Sequence, residues 1–74
     1  MADQTLDARM LNCPEPIIRT RQALSGLTTG QTLLVLATDP GAVLDFQAFC
    51  RISGNELLEM DETAGEYSFL LRKA

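Results

Sequence analysis

The chain has 74 residues and a mass of 8.1 kDa, enough for a single domain over 1–74 and too short for separate cofactor and substrate domains. A chain this size buries roughly 60% of its unfolded surface, so the core is modest and a deep enclosed pocket is not expected. Apolar residues make up 46% and charged residues 22%, with a net charge of −4 and a pI near 4.5. That balance suits a folded globule and argues against phosphate-driven nucleic-acid binding.

No internal repeat or low-complexity stretch interrupts the chain, and turn signals divide it into six elements. Residues 5–8 are extended, with Leu6 and Ala8 on one side. From Pro14 to about Gly26 the spacing of Ile17, Thr20, Leu24 and Leu27 places them on one helical face. Pro14 fits the first helical turn, where a missing N–H costs nothing, and Pro16 fits there too because its N–H would have no intrahelical partner. Residues 32–38 form a nearly continuous apolar run, which reads as a strand buried on both faces or nearly so.

Asp39 reads as an N-cap, with Pro40 at the first position of a second helix that runs to about Ser53. That helix should bury Val43, Phe46, Phe49 and Cys50 and end through a left-handed cap at Gly54-Asn55. Residues 57–61 and 67–72 are strands joined by a hairpin loop over 62–66. The order β-α-β-α-β-β predicts an α+β fold: a two-layer α/β sandwich with both helices on one face of a four-stranded mixed sheet. The first crossover should be right-handed.

Histidine is absent, which removes the commonest general base and the commonest metal ligand. Cys13 and Cys50 cannot complete a zinc site alone and are too few for a disulfide scaffold. Neither a metal nor a cofactor is expected. The N-terminus lacks the basic and apolar regions of a signal peptide, and no apolar run is long enough to cross a bilayer. A soluble, cytoplasmic protein with no membrane partner is the expectation.

The functional signal is Asn12-Cys13-Pro14-Glu15-Pro16. It places a cysteine at or just before a helix N-terminus, where unpaired N–H groups and the helix dipole favour thiolate over thiol. Pro14 and Pro16 stiffen the turn, and the same N–H groups would stabilise an anionic persulfide on Cys13. Arg19 and Arg21 could add a weaker positive field or meet an acidic partner. A thioredoxin-like enzyme would carry a second cysteine at the position of Pro16, and a hydrolytic cysteine enzyme would carry a histidine. A lone thiol with no general base suits holding and passing a group.

This stretch, extended by Thr5-Leu6-Asp7-Ala8, Gly30-Gln31-Thr32-Leu33-Leu34, Thr38-Asp39-Pro40, Phe49-Cys50 and Leu70-Leu71-Arg72-Lys73, resembles the TusA/SirA family of small sulfur-carrier proteins. The resemblance covers nearly the whole chain, and the family's two-layer fold agrees with the order read above. It implies that Cys13 accepts sulfane sulfur as a persulfide from a cysteine desulfurase. The sulfur would pass to a downstream, DsrE-like sulfurtransferase and end in tRNA 2-thiouridine; other branches serve sulfur oxidation or cofactor sulfuration. No direct nucleic-acid contact is expected of the carrier. The resemblance further implies a partner surface at Ile18, Arg21 and Asp39. The family usually has glycine where this chain has Met10. Either that backbone needs φ > 0 and methionine is strained there, or the turn is tolerant and Met10 lends an apolar contact beside the thiol.

Plainer readings stand beside these. Glu15 fits as a dipole partner in the first turn, and Cys50 as a small core hydrophobe. The acidic residues Glu56, Glu59, Asp61, Glu62 and Glu66 would keep a hairpin edge from pairing. Tyr67 and Phe69 read as sheet packing rather than a base-stacking platform. The rival functions are a non-catalytic interaction or regulatory module, whose Cys-Pro-Glu-Pro turn is only a rigid helix start, and a thiol-redox switch.

Overall fold

The computed structural model describes residues 2–74. The six elements follow in the expected order: β1 (Gln4–Ala8), α1 (Glu15–Ser25), β2 (Thr32–Ala37), α2 (Ala42–Ser53), β3 (Glu56–Thr63) and β4 (Glu66–Arg72). The strands form one mixed sheet in the order β1-β2-β4-β3. β1 runs parallel to β2 with Ala8 opposite Ala37, and β4 runs antiparallel to both β2 and β3. Both helices cover the same face, α1 over β1 and β2, and α2 over β3 and β4.

Periodicity explains what lies between the layers. On α2 the buried residues Ala42, Phe46, Phe49 and Cys50 recur at the i, i+4, i+7, i+8 spacing of a single helical stripe. They meet the inward side chains Leu33, Val35 and Ala37 of β2 and Phe69 and Leu71 of β4. Phe46 stacks on Phe69 with ring centroids 4.3 Å apart, and Tyr67 follows Phe69 at 6.5 Å. These aromatics are therefore core packing, as their spacing predicted. α1 buries less bulk, through Pro16, Thr20 and Leu24.

Three local expectations are corrected. β2 is buried on one face only: Leu33, Val35 and Ala37 are covered, while Thr32, Leu34 and Leu36 are half-exposed because no helix lies on the outer side. α2 begins at Ala42 with Gly41 as its N-cap, so Asp39 gives no side-chain cap and Pro40 lies outside the helix. Asp39 contributes its backbone instead, its carbonyl accepting the Ala42 N–H at 3.0 Å. On α1, Pro14 is the N-cap and Pro16 the second helical residue, so both prolines stand at the start of the helix as expected. The hairpin loop shrinks to Ala64 (φ 52) and Gly65 (φ 82), the paired positive φ values of a tight two-residue turn. The end of α2 is as expected, with Gly54 at φ 83.

The turn after β1 is held at several points. Arg9 grips the Asp7 carboxylate through Nε at 2.9 Å, Nη2 at 3.0 Å and its own backbone N–H at 3.1 Å. Those hydrogen bonds draw the Asp7 carboxyl down to about 2. Its folded value lies below the ordinary one, so this stabilisation is complete above the normal aspartate range and is lost as the pH falls through about 2. The Met10 N–H donates to Thr38 Oγ1 at 2.9 Å, tying the turn to the end of β2.

Met10 has φ 69, the left-handed conformation that glycine adopts without penalty, and its side chain is 86% exposed. Of the two readings of Met10, the strained one holds. Leaving that conformation to glycine relieves ~1–2 kcal/mol, more than the roughly 0.5–1 kcal/mol that glycine's extra chain freedom costs. Met10→Gly is expected to raise the thermal midpoint by on the order of 4 °C. A lower midpoint would assign the exposed side chain a stabilising contact. Thr20 is fully buried and its Oγ1 has no hydrogen-bond partner. Thr20→Val keeps the shape and removes the orphan hydroxyl, for an expected gain of ~1 kcal/mol. Urea unfolding should show this as a higher midpoint at unchanged slope.

Candidate functional site

Cys13 is exposed, in the turn between β1 and α1. The amides expected to favour its anion are already used. Pro14 and Pro16 carry no N–H, the Glu15 N–H donates to Asn12 O at 2.8 Å, and the Ile17 N–H donates to Pro14 O at 3.1 Å. Those four residues span the cap and first turn of α1, so no backbone donor of that turn remains for the sulfur. This corrects the expectation of a helix-terminal anion hole.

Cys13 opens onto a groove of about 480 Å³ between the two helices. Pro14, Ile17 and Arg21 form one wall, and Asp45, Ala48, Phe49, Ile52 and Ser53 form the other. The guanidinium of Arg21 lies over the Phe49 ring, 5.9 Å from its centroid. Ile52 is 84% exposed at the rim. A second hollow of about 370 Å³ lies beside the hairpin, lined by Asp61, Glu66 and Tyr67 among others, and holds no cysteine.

The local field on Cys13 is acidic. The Asp45 carboxylate, through its hydrogen-bonding influence on the S–H, pushes the thiol up from its ordinary range; slight desolvation and the charges of Asp45 and Asp39 push the same way. Both carboxylates flank Gly41. A Cβ at that position would lie 3.2 Å from Asp39 Oδ2 and 3.8 Å from Asp45 Oδ2. That field favours the thiol over the thiolate expected from the sequence.

The structure gathers Cys13, Pro14 and Arg21 in one groove, with Asp39 close enough to act on the thiol by charge. Glu15 and Ile18 lie on α1 outside the groove lining, Ile18 exposed and Glu15 half-buried, while Pro16 is buried in the helix–sheet layer. Cys50 is a free thiol at 7% exposure on the core side of α2, and its thiol is raised by desolvation. Sequence reasoning missed Asp45. Its signal was an acidic residue four positions before Phe49, on the flank of an apolar stripe rather than on the solvent face. Among the described residues, no group of three or more His, Cys, Asp or Glu side chains could hold a metal ion, and no helix is long and apolar enough to cross a membrane.

A two-layer α/β fold with one exposed cysteine, in a turn rigidified by two prolines and open to a groove, defines a small α/β thiol protein. Residues 4–73 match the family described as Sulfurtransferase TusA, and the chain belongs to it. It is 51% identical over 72 residues to the sulfur carrier protein TusA of Allochromatium vinosum, a match covering 97% of this chain and 95% of that protein. It is also similar to the crystal structure of a SirA-like protein from Desulfitobacterium hafniense. That match has a TM-score of 0.82 and 27% identity, over 93% of this chain and 95% of the other.

The field on the thiol is measurable in a Cys50→Ser background, where thiolate absorbance reports Cys13 alone. Cys13 is expected to ionise above the ordinary thiol range, leaving it largely protonated at neutral pH. Ionisation near or below neutral pH would contradict the carboxylate field.

Proposed function

We propose that the protein is a sulfur carrier whose Cys13 takes up sulfane sulfur as a persulfide. A cysteine desulfurase supplies the sulfur and a DsrE-like sulfurtransferase receives it, on a route ending in tRNA 2-thiouridine. The observation that carries this reading is the exposed Cys13 at the mouth of the interhelical groove, in a chain that matches the family over residues 4–73.

The arrangement suits a carrier in two further ways. A persulfide is destroyed when a neighbouring thiol attacks it, forming a disulfide and expelling sulfide. Cys50 is enclosed in the core, so it offers no such thiol. A protonated Cys13 is also a poor nucleophile toward adventitious disulfides, which keeps the empty carrier inert between partners. Ile18 and Arg21 on α1 and Asp39 beside the thiol are the residues we assign to partner contact; Pro14, Glu15 and Pro16 give Cys13 its rigid mount.

The neutral thiol also favours a second reading, an interaction module in which the Cys-Pro-Glu-Pro turn only starts a helix. Loading decides between them. After incubation with a cysteine desulfurase and cysteine, an intact mass taken without reductant is expected to show a gain of one sulfur atom. The gain should vanish in Cys13→Ser and persist in Cys50→Ser. A wild-type protein that gains nothing would transfer the assignment to the interaction module.

A further inference from the structure

On the sulfur-carrier reading, we infer that Asp45 is the proton acceptor for Cys13, taking the thiol proton as sulfur arrives and returning it to the departing thiolate. Cys13 and Asp45 line the same groove from opposite walls, one ahead of α1 and the other in the first turn of α2. Asp45 is half-buried and belongs to none of the ion pairs formed among the described residues, which leaves its carboxylate free to accept. Gly41 has φ −78, a conformation any residue adopts, so what its missing side chain provides is space. The Asp39 and Asp45 carboxylates occupy the margin of that space, at 3.2 and 3.8 Å from where a Cβ would stand. A carboxylate lining the same groove as the thiol is the base that a chain without histidine otherwise lacks.

The step balances without an oxidant. The Cys13 sulfur attacks the outer sulfur of a donor persulfide, R–S–SH, while its proton moves to the Asp45 carboxylate. A sulfur–sulfur bond forms on Cys13 and the donor sulfur–sulfur bond breaks. The donor leaves as R–S⁻ and takes the proton back from Asp45 as R–SH. One thiol and one persulfide enter, and one of each leaves. Delivery to an acceptor thiol is the same step in reverse order of roles.

Two reagents separate this role from a mere charge effect, both applied in the Cys50→Ser background and followed by intact mass across pH. Iodoacetamide reads deprotonation alone, because iodide leaves without needing a proton. Cysteine persulfide reads deprotonation and proton return together. The charged groups facing the thiol are Asp45 from α2, Asp39 from the loop before it and Arg21 from α1. Asp45→Asn is expected to move the alkylation profile to lower pH, yet to slow sulfur uptake at neutral pH by on the order of 10²-fold.

Faster uptake in step with faster alkylation would reduce Asp45 to a charge acting on the thiol and overturn the inference. Unchanged uptake, or slower uptake without an alkylation shift, would overturn it too, while loading of the parent protein left the carrier reading intact. A parent protein that takes up no sulfur would instead remove the carrier reading itself. Thermal melts establish that the variant is folded, and Asp45→Ser provides a second neutral replacement with the same expected divergence.

Discussion

Parallel pairing of β1 with β2 is the constraint on which the site depends. Strands that run the same way end at the same edge of a sheet, and the connections that follow them emerge side by side. Here Ala8 stands opposite Ala37, so the turn after β1 and the loop after β2 are neighbours. The first carries Cys13, and the second leads through Asp39 and Gly41 into Asp45. Residues 32 positions apart in sequence thus share one groove, and the Met10–Thr38 hydrogen bond fastens the two connections together. In open α/β sheets the crevice beyond the carboxyl ends of adjacent strands is the habitual place for binding.

The electrostatics of that edge follow from which groups the chain spends where. A helix N-terminus ordinarily offers donors to an anion, but proline at two of the first positions removes donors as surely as it fixes the backbone. The remaining amides are taken by Asn12 O and Pro14 O. What is left around the sulfur is the negative charge of Asp45 and Asp39, with Arg21 in the same groove, and those carboxylates push the thiol up where the motif alone suggested the reverse. Rigidity and activation are separable properties of a Cys-Pro turn, and this chain keeps the first.

The fold was legible because each element carries its own period. Ala42, Phe46, Phe49 and Cys50 announce a helix stripe, and Gly54 marks its end by the φ it adopts. Errors arose where an outcome depends on neighbours the sequence does not display. The outer face of β2 stays half-open because both helices lie on the other side. Asp39 forgoes capping because Gly41 starts the helix two residues later. The hairpin loop tightened because Ala64 accepts φ 52 beside Gly65, letting the ladder close as far as Thr63 and Glu66. Cys13 was visible from its motif, whereas Asp45 became visible only once strand pairing set it beside the sulfur.

The local costs of the fold are unevenly distributed. Met10 is held in a left-handed conformation immediately before the Leu11-Asn12-Cys13 turn, and Thr20 is buried without a partner on the helix that follows. Each costs on the order of 1–3 kcal/mol. The α2, β2 and β4 layer carries none of these defects and holds the large buried side chains Phe46, Phe69, Leu33 and Leu71. Backbone strain survives only where surrounding structure over-determines it, and here the Asp7–Arg9 clasp and the Thr38 hydrogen bond do so from either side of Met10. The turn that presents Cys13 thus combines a strained residue with tethers on both sides, which fix the place of the sulfur. The orphan hydroxyl lies on α1, whereas the α2 wall of the groove backs onto the large aromatic core.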